Sequence, residues 1–67
     1  MSESFGDLVD RLFTMVQDHM KWDERRTALW FRTPNHHFGG ITPDTFIQHR
    51  PEKAERAIIS LINGDGP

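Results

Sequence analysis

The segment LWFRTPNHHFGGITP, at positions 29–43, carries the strongest structural signals of the sequence. Trp30 and Phe31 lie near the end of a predicted helix, where adjacent side chains point about 100° apart, so one enters the core and the other lies at its edge. Pro34 prevents an easy continuation of this helix, because its ring fixes φ and disfavours helical geometry at the preceding residue. The sequence therefore predicts a helix that ends before Pro34.

The same segment also predicts a turn and the start of a second helix. Asn35 and the pair Gly39-Gly40 suit backbone positions with positive φ, which cost other residues more. Thr42 suits the N-cap of the next helix, and Pro43 suits its first position, where the missing N–H does no harm. We therefore expect two helices joined by a tight glycine turn.

Length and composition limit the class of protein. At 67 residues the chain allows one small domain, spanning residues 1–67, and it has no cysteine for disulfides or thiolate metal sites. Its formal net charge is −2 at pH 7, whereas a nucleic-acid-binding domain is expected to be strongly basic. No apolar run approaches the roughly 18 residues of a membrane span, and the start has no basic signal region, so we expect an untargeted cytoplasmic protein.

Apolar residues at spacings of three and four predict two long amphipathic helices and two shorter ones. Ser4 and Asp23 are suitable N-caps, and Pro51 suits the first position of the last helix. We therefore predict an all-α fold, a small four-helix bundle-like domain, with helices near residues 4–20, 23–32, 43–49 and 52–63 and a flexible tail at 64–67.

The same spacing predicts which side chains face the core. The inward residues are Phe5, Leu8, Val9, Leu12, Phe13, Val16 and Met20 in the first helix and Ala54, Ala57, Ile58, Leu61 and Ile62 in the last. In the second helix we expect Ala28, Leu29 and one of the two aromatic residues to point inward, and in the third Phe46 and Ile47. Ile59 falls outside the core stripe and, together with the wide stripe of the first helix, predicts a homodimer.

No constellation in the sequence points to catalysis or to a metal site. His36 and His37 are adjacent in a loop, which makes them awkward ligands for one ion, and no carboxylate stands at a familiar metal spacing from them. Arg25, Arg26 and Arg32 form a basic patch, which beside acidic neighbours is typical of a solvated face. We therefore expect a protein that is not an enzyme and uses no cofactor or metal.

From Ala28 to Gly64 the sequence resembles the toxin-binding domain shared by Xre, MbcA and ParS antitoxins. That family carries an alanine, a Trp-Leu pair, a Thr-Pro-Asn and a loop ending in Leu-Gly-Gly, then a Thr-Pro helix start and an amphipathic helix ending in glycine. The corresponding residues here are Ala28, Trp30, Phe31, Pro34, Asn35, Phe38, Gly39, Gly40, Thr42, Pro43, Ile58, Leu61 and Gly64. The first helix matches only as a generic amphipathic lead-in.

The resemblance implies a dimeric helical bundle that binds a RES-domain toxin, an enzyme that consumes NAD, and blocks its active-site cleft with the C-terminal helix and tail. The residues expected to contact the partner are Arg56, Ile59, Asn63, Gly64, Asp65, Gly66 and Pro67. The sequence departs from the family at Asp44, where an apolar residue is usual, and at Gln48-His49-Arg50-Pro51, which replaces a loop containing Thr-Gly. Typical members carry a helix-turn-helix before this domain, for which 67 residues leave no room, so we expect a stand-alone toxin-binding domain without operon autorepression.

Two alternatives remain open from the sequence. The same bundle could act as a small inhibitor or adaptor, for example one encoded on a mobile element, against an unrelated protein. An accessory nucleic-acid binder would work through Arg25, Arg26 and Arg32, and its affinity would fall steeply with salt. The negative net charge disfavours this last hypothesis.

Overall fold

The structure, a computed structural model, describes residues 3–64. Its helices follow one another along the chain as α1 (Phe5–Met20), α2 (Glu24–Phe31), a short 3-10 helix (His36–Phe38), α3 (Pro43–His49) and α4 (Pro51–Ile62). No strand occurs in this part of the chain, and none of these helices combines the length and apolar character needed to cross a bilayer. The all-α prediction is confirmed, and each predicted α-helix lies within one residue of its observed bounds.

Polar side chains at the helix starts explain where the helices begin. The hydroxyl oxygen of Ser4 accepts a hydrogen bond from a backbone N–H in the first turn of α1 at 3.1 Å. A carboxylate oxygen of Asp23 accepts one in the first turn of α2 at 2.7 Å. Thr42 caps α3 in the same way, and Pro43 occupies its first turn. Each such cap stabilises its helix by about 1 kcal/mol.

The core lies where the four helices meet. α1 packs against α2 and α4, and α3 also packs against α2 and α4. The buried apolar residues are Leu12, Val16, Phe31, Phe38, Ile47, Ala54 and Ile58. Thr27 is fully buried as well, and its hydroxyl donates to the backbone oxygen of Asp23 at 2.8 Å. This hydrogen bond removes the cost of burying an unpaired hydroxyl group.

Two apolar residues that the spacing predicts as core residues lie at the surface instead. Leu29 is 64% exposed. Thr27 and Phe31, one turn apart, are buried, and helical geometry turns Leu29, two residues from each, about 200° away from them. Phe5 is 47% exposed, because it is the first residue of α1 and the fully buried part of the stripe begins at Leu12.

Backbone hydrogen bonds around Asn35 close the loop between α2 and α3. The N–H of Asn35 donates to the oxygen of Ile41 at 3.0 Å, and the oxygen of Asn35 accepts from the N–H of Gly40 at 3.0 Å. Gly39 and Gly40 have the predicted positive φ, 75° and 90°, but the prediction of a positive φ at Asn35 is wrong, since its φ is −127°. Asn35 instead caps the 3-10 helix, its side-chain oxygen accepting from the N–H of His37 at 2.8 Å, and this role requires extended backbone.

Candidate partner-binding surfaces

A chain of aromatic rings holds α2 against α1 and the glycine turn. Phe31 stacks on Phe13 with ring centroids 5.6 Å apart, and Trp30 lies edge-on to Phe31 at 4.9 Å. Trp30 also meets Phe38 edge-on at 6.2 Å, and Phe38 packs on Phe46 at 5.0 Å. Pairs of this kind add about 0.5–1.5 kcal/mol each beyond the area they bury. Trp30, Phe31 and Phe38, the aromatic residues of the segment 29–43, thus belong to one cluster that sets the orientation of α2.

The prolines and glycines of the segment 29–43 determine the path of the backbone between α2 and α3. Pro34 is exposed and follows the end of α2, whereas Pro43 is buried in the first turn of α3. Gly39 and Gly40 have room around their Cα atoms, since a Cβ would meet no atom within 4 Å at either position. Both glycines are therefore required by their positive φ and not by close packing.

The outer face of α2, defined here as Arg25, Arg26, Leu29 and Arg32, points away from the core. Arg25, Leu29 and Arg32 stand at i, i+4 and i+7, which places them on one side of the helix. All three arginines are exposed, as is Leu29. The result is an exposed aliphatic side chain flanked by three cationic ones.

Open hollows surround Leu29 on this face. The first, of about 310 Å³, is lined by Trp22, Arg26, Leu29, Trp30 and Thr33. The second, of about 440 Å³, is lined by Asp23, Arg25, Arg26 and Leu29. The third, of about 330 Å³, is lined by Arg25, Ala28, Leu29 and Arg32. The guanidinium carbon of Arg26 lies 4.9 Å from the ring centroid of Trp22. The rings of Trp22 and Trp30 are 6.4 Å apart. Attraction between a cation and the face of a tryptophan ring holds Arg26 at the rim of the first hollow.

The outer face of α4, defined here as Arg56, Ile59 and Asn63, carries the partner-binding residues expected from the sequence. These residues are spaced by three and four, and they lie on one side of the helix. Arg56 and Asn63 are exposed, and Ile59 is 36% exposed. Gly64 follows the helix with φ 70°, as expected of a glycine after a helix C-terminus. The rest of the predicted contact set, residues 65–67, lies outside the described part of the chain.

Ion pairs link α1 to α4. The guanidinium of Arg11 donates to the carboxylate of Glu3 at 2.9 Å and to that of Glu55 at 2.7 and 2.9 Å. These hydrogen bonds hold the pKa of both carboxyl groups below the ordinary value and raise the pKa of Arg11. The three side chains are 35–41% exposed, and exposed ion pairs contribute little to stability because water and salt screen them. The network therefore orients α1 relative to α4 without adding much stability.

The histidines that prompted a metal hypothesis lie at the surface. His36 and His37 form the start of the 3-10 helix and are exposed. Between residues 3 and 64, no group of three or more histidine, aspartate or glutamate side chains is placed to hold a metal ion.

The sequence singled out Arg25, Arg26 and Arg32 on the outer face of α2 as a basic patch, but it missed Leu29 on the same face because the spacing placed that residue in the core. A geometric signal was present, since Leu29 and Phe31 stand about 200° apart on a helix and cannot both face one core. Trp22 was likewise assigned no function, although it lines the first hollow.

The family comparison agrees with the resemblance seen in residues 28–64. The model of the antitoxin Xre/MbcA/ParS C-terminal toxin-binding domain matches residues 5–56. The match includes α1, for which the sequence showed only a generic similarity, and it ends within α4, before Ile59. No curated protein and no solved structure matches the chain. Because the matched residues make up most of the chain, the protein belongs to the family of Xre/MbcA/ParS antitoxin C-terminal toxin-binding domains.

Proposed function

We propose that this chain is an antitoxin that binds a RES-type, NAD-consuming toxin and neutralises it by occluding the toxin's active site with the C-terminal end of α4. Membership of a toxin-binding family supports a toxin as the protein partner. That the toxin is of the RES type, and that it is neutralised by occlusion of its active site, are both inferred from the sequence resemblance. The observation that carries the proposal is the exposed stripe of Arg56, Ile59 and Asn63 along α4.

The three side chains of this stripe offer complementary contacts to a cleft. Ile59 supplies an aliphatic anchor, Asn63 supplies an amide that both donates and accepts, and Arg56 supplies a planar cation suited to carboxylate or phosphate groups. The carbonyl groups at the end of α4 carry a partial negative charge, which favours a basic pocket in the partner. A helix end is narrow enough to enter a substrate cleft, so these contacts support occlusion.

The test is to express the chain with a RES-domain toxin encoded beside it and to measure NAD consumption by the purified toxin. We expect NAD consumption to fall to background at one equivalent of the chain. Deletion of residues 65–67 is expected to leave the melting temperature unchanged and to weaken toxin binding at least tenfold, about 1.4 kcal/mol.

A matched pair of substitutions tests the contact surface directly. Ile59 and Ile41 are similarly exposed, 36% and 39%, but Ile41 lies in the loop before α3. Ile59→Asp is expected to abolish inhibition, and Ile41→Asp to preserve it. Equal inhibition by the two variants would show that the end of α4 is not the contact surface. An active toxin in the presence of excess wild-type chain would show that the RES proposal itself is wrong.

A further inference from the structure

We propose that the outer face of α2 is a second protein-docking surface, one that takes an acidic segment of a partner protein with an apolar side chain seated on Leu29. This surface is on a different helix from the contact proposed for the toxin cleft. The inference does not depend on the RES chemistry of the toxin.

The first argument is the exposure of Leu29 on a helix whose opposite side is buried in the core. The side chain is 64% exposed, while Thr27 and Phe31 on the opposite side are buried. Leu29 also lines each of the three hollows on this face. An apolar centre with a charged rim is the usual arrangement of a protein–protein contact, in which the rim excludes water from the centre.

The second argument is charge. Between Lys21 and Arg32 lie four of the eight basic side chains of the chain, but only two of the ten acidic ones. One of these acidic groups, Asp23, accepts a hydrogen bond from the backbone of Arg26 at 2.7 Å. A local positive surface on a chain of net charge −2 selects an acidic partner and steers its approach. Guanidinium groups also bind carboxylates in a bidentate manner.

The third argument is that this face is already ordered before binding. Trp30 joins α2 to the aromatic cluster, and Arg26 stacks over Trp22. The hydroxyl of Thr33 donates to the backbone oxygen of Leu29 at 2.7 Å, which holds the last turn of α2 in place. A surface that is rigid in the free protein loses less entropy when a partner binds.

The same observations disfavour other occupants. A strand of nucleic acid is disfavoured by the net charge of −2, and Arg26 already covers one face of the Trp22 ring, on which a base would otherwise stack. A second copy related by a twofold axis at α2 would place arginines opposite arginines, which is repulsive. An acidic protein segment satisfies both the charge and the apolar centre.

Tryptophan fluorescence reports directly on this face, because Trp22 and Trp30 are the two tryptophans of the chain and both line the hollow beside Leu29. The probe is a peptide of glutamate and aspartate with one central leucine. The controls are the same peptide with serine in place of that leucine, a lysine peptide with the same leucine, and oligothymidylate. We expect saturable binding of the acidic leucine peptide that weakens with added salt, at least threefold weaker binding of the serine peptide, and no binding of the lysine peptide.

Variants at matched exposed positions locate the site. Leu29→Ser and Arg25→Glu are expected to weaken binding of the acidic leucine peptide at least threefold, while Ile59→Ser and Arg56→Glu leave it unchanged. Circular dichroism verifies that each variant keeps its helices.

Four outcomes would overturn the proposal. They are the lack of any saturable fluorescence change, equal effects of the α2 and α4 variants, tighter binding of oligothymidylate than of the peptide, and a solution dimer that dissociates on Leu29→Ser. The third outcome would assign the face to nucleic acid, and the fourth to a second copy of the chain.

Discussion

Leu29 and Phe31 lie on opposite sides of α2 although a single residue separates them. The ring of Phe31 is 5% exposed and stacks on Phe13 with centroids 5.6 Å apart, whereas Leu29 is 64% exposed. One helix of eight residues thus supplies an apolar group to the core and another to the surface. The first stabilises the fold, and the second is available to a partner.

Substitution of these two residues separates stability from binding. Phe31→Ala is expected to lower the free energy of unfolding by roughly 3–5 kcal/mol, because it removes a buried ring and leaves a cavity. Leu29→Ala is expected to change it by no more than about 0.5 kcal/mol, as is usual for an exposed site. Urea denaturation of both variants measures the difference. Similar losses in the two variants would contradict the orientation of α2.

Glycine replacements test the turn before α3. Gly39 has φ 75° and room for a Cβ, so Gly39→Ala is expected to cost about 1–2 kcal/mol through backbone strain alone. Gly6 lies within α1 and also has room for a Cβ, so Gly6→Ala is expected to stabilise by about 0.5–1 kcal/mol. Thermal unfolding is the measurement, and shifts of the same sign for the two variants would refute the argument.

The ion pairs of Arg11 predict a pH dependence of stability. The pKa of the Glu3 and Glu55 carboxyl groups is lower in the folded chain than their ordinary value of 4.5. The pairs therefore contribute stability above about pH 4.5, and this contribution is lost as the pH falls through the lowered pKa values. Arg11→Gln is expected to lower the melting temperature slightly at pH 7, and this difference from the wild type is expected to shrink as the pH falls below about 4.5.

A control variant isolates this effect from the loss of one positive charge. Arg25 takes part in no ion pair within residues 3–64. The melting temperature of Arg25→Gln should therefore follow that of the wild type at every pH. If Arg11→Gln and Arg25→Gln behave alike between pH 2 and 7, the Arg11 network has no energetic role.

An exposed ring at the start of α1 predicts self-association. Phe5 is 47% exposed, and its burial between two copies would stabilise a dimer. Sedimentation equilibrium is expected to show a dimer at high micromolar concentration, and Phe5→Ser is expected to shift it toward monomer. A wild-type monomer at that concentration would rule out this dimer.

Local chemistry alone was enough to locate the four α-helices and the turn between α2 and α3. The N-caps Ser4, Asp23 and Thr42 act on backbone groups within one turn, and the positive φ at Gly39 is a property of a single residue. Such features depend on neighbours in the sequence, so they are readable without any knowledge of the fold. Asn35 was misassigned because its side chain can favour either a left-handed turn or an N-cap.

Contacts between segments distant in sequence determined which side of α2 is buried and which charged side chains pair. Positions 28–31 are four consecutive apolar residues, which together cover about 300° of a helix and therefore define no single inward face. The stacking of Phe31 on Phe13 selects the side that is buried and leaves Leu29 in solvent. Arg11 and Glu55, which meet at 2.7 Å, are too far apart in sequence for any local pattern to pair them. The basic patch of Arg25, Arg26 and Arg32 was readable from the sequence, but the exposure of Leu29 at its centre is a consequence of how α2 packs, and only the folded chain reveals it.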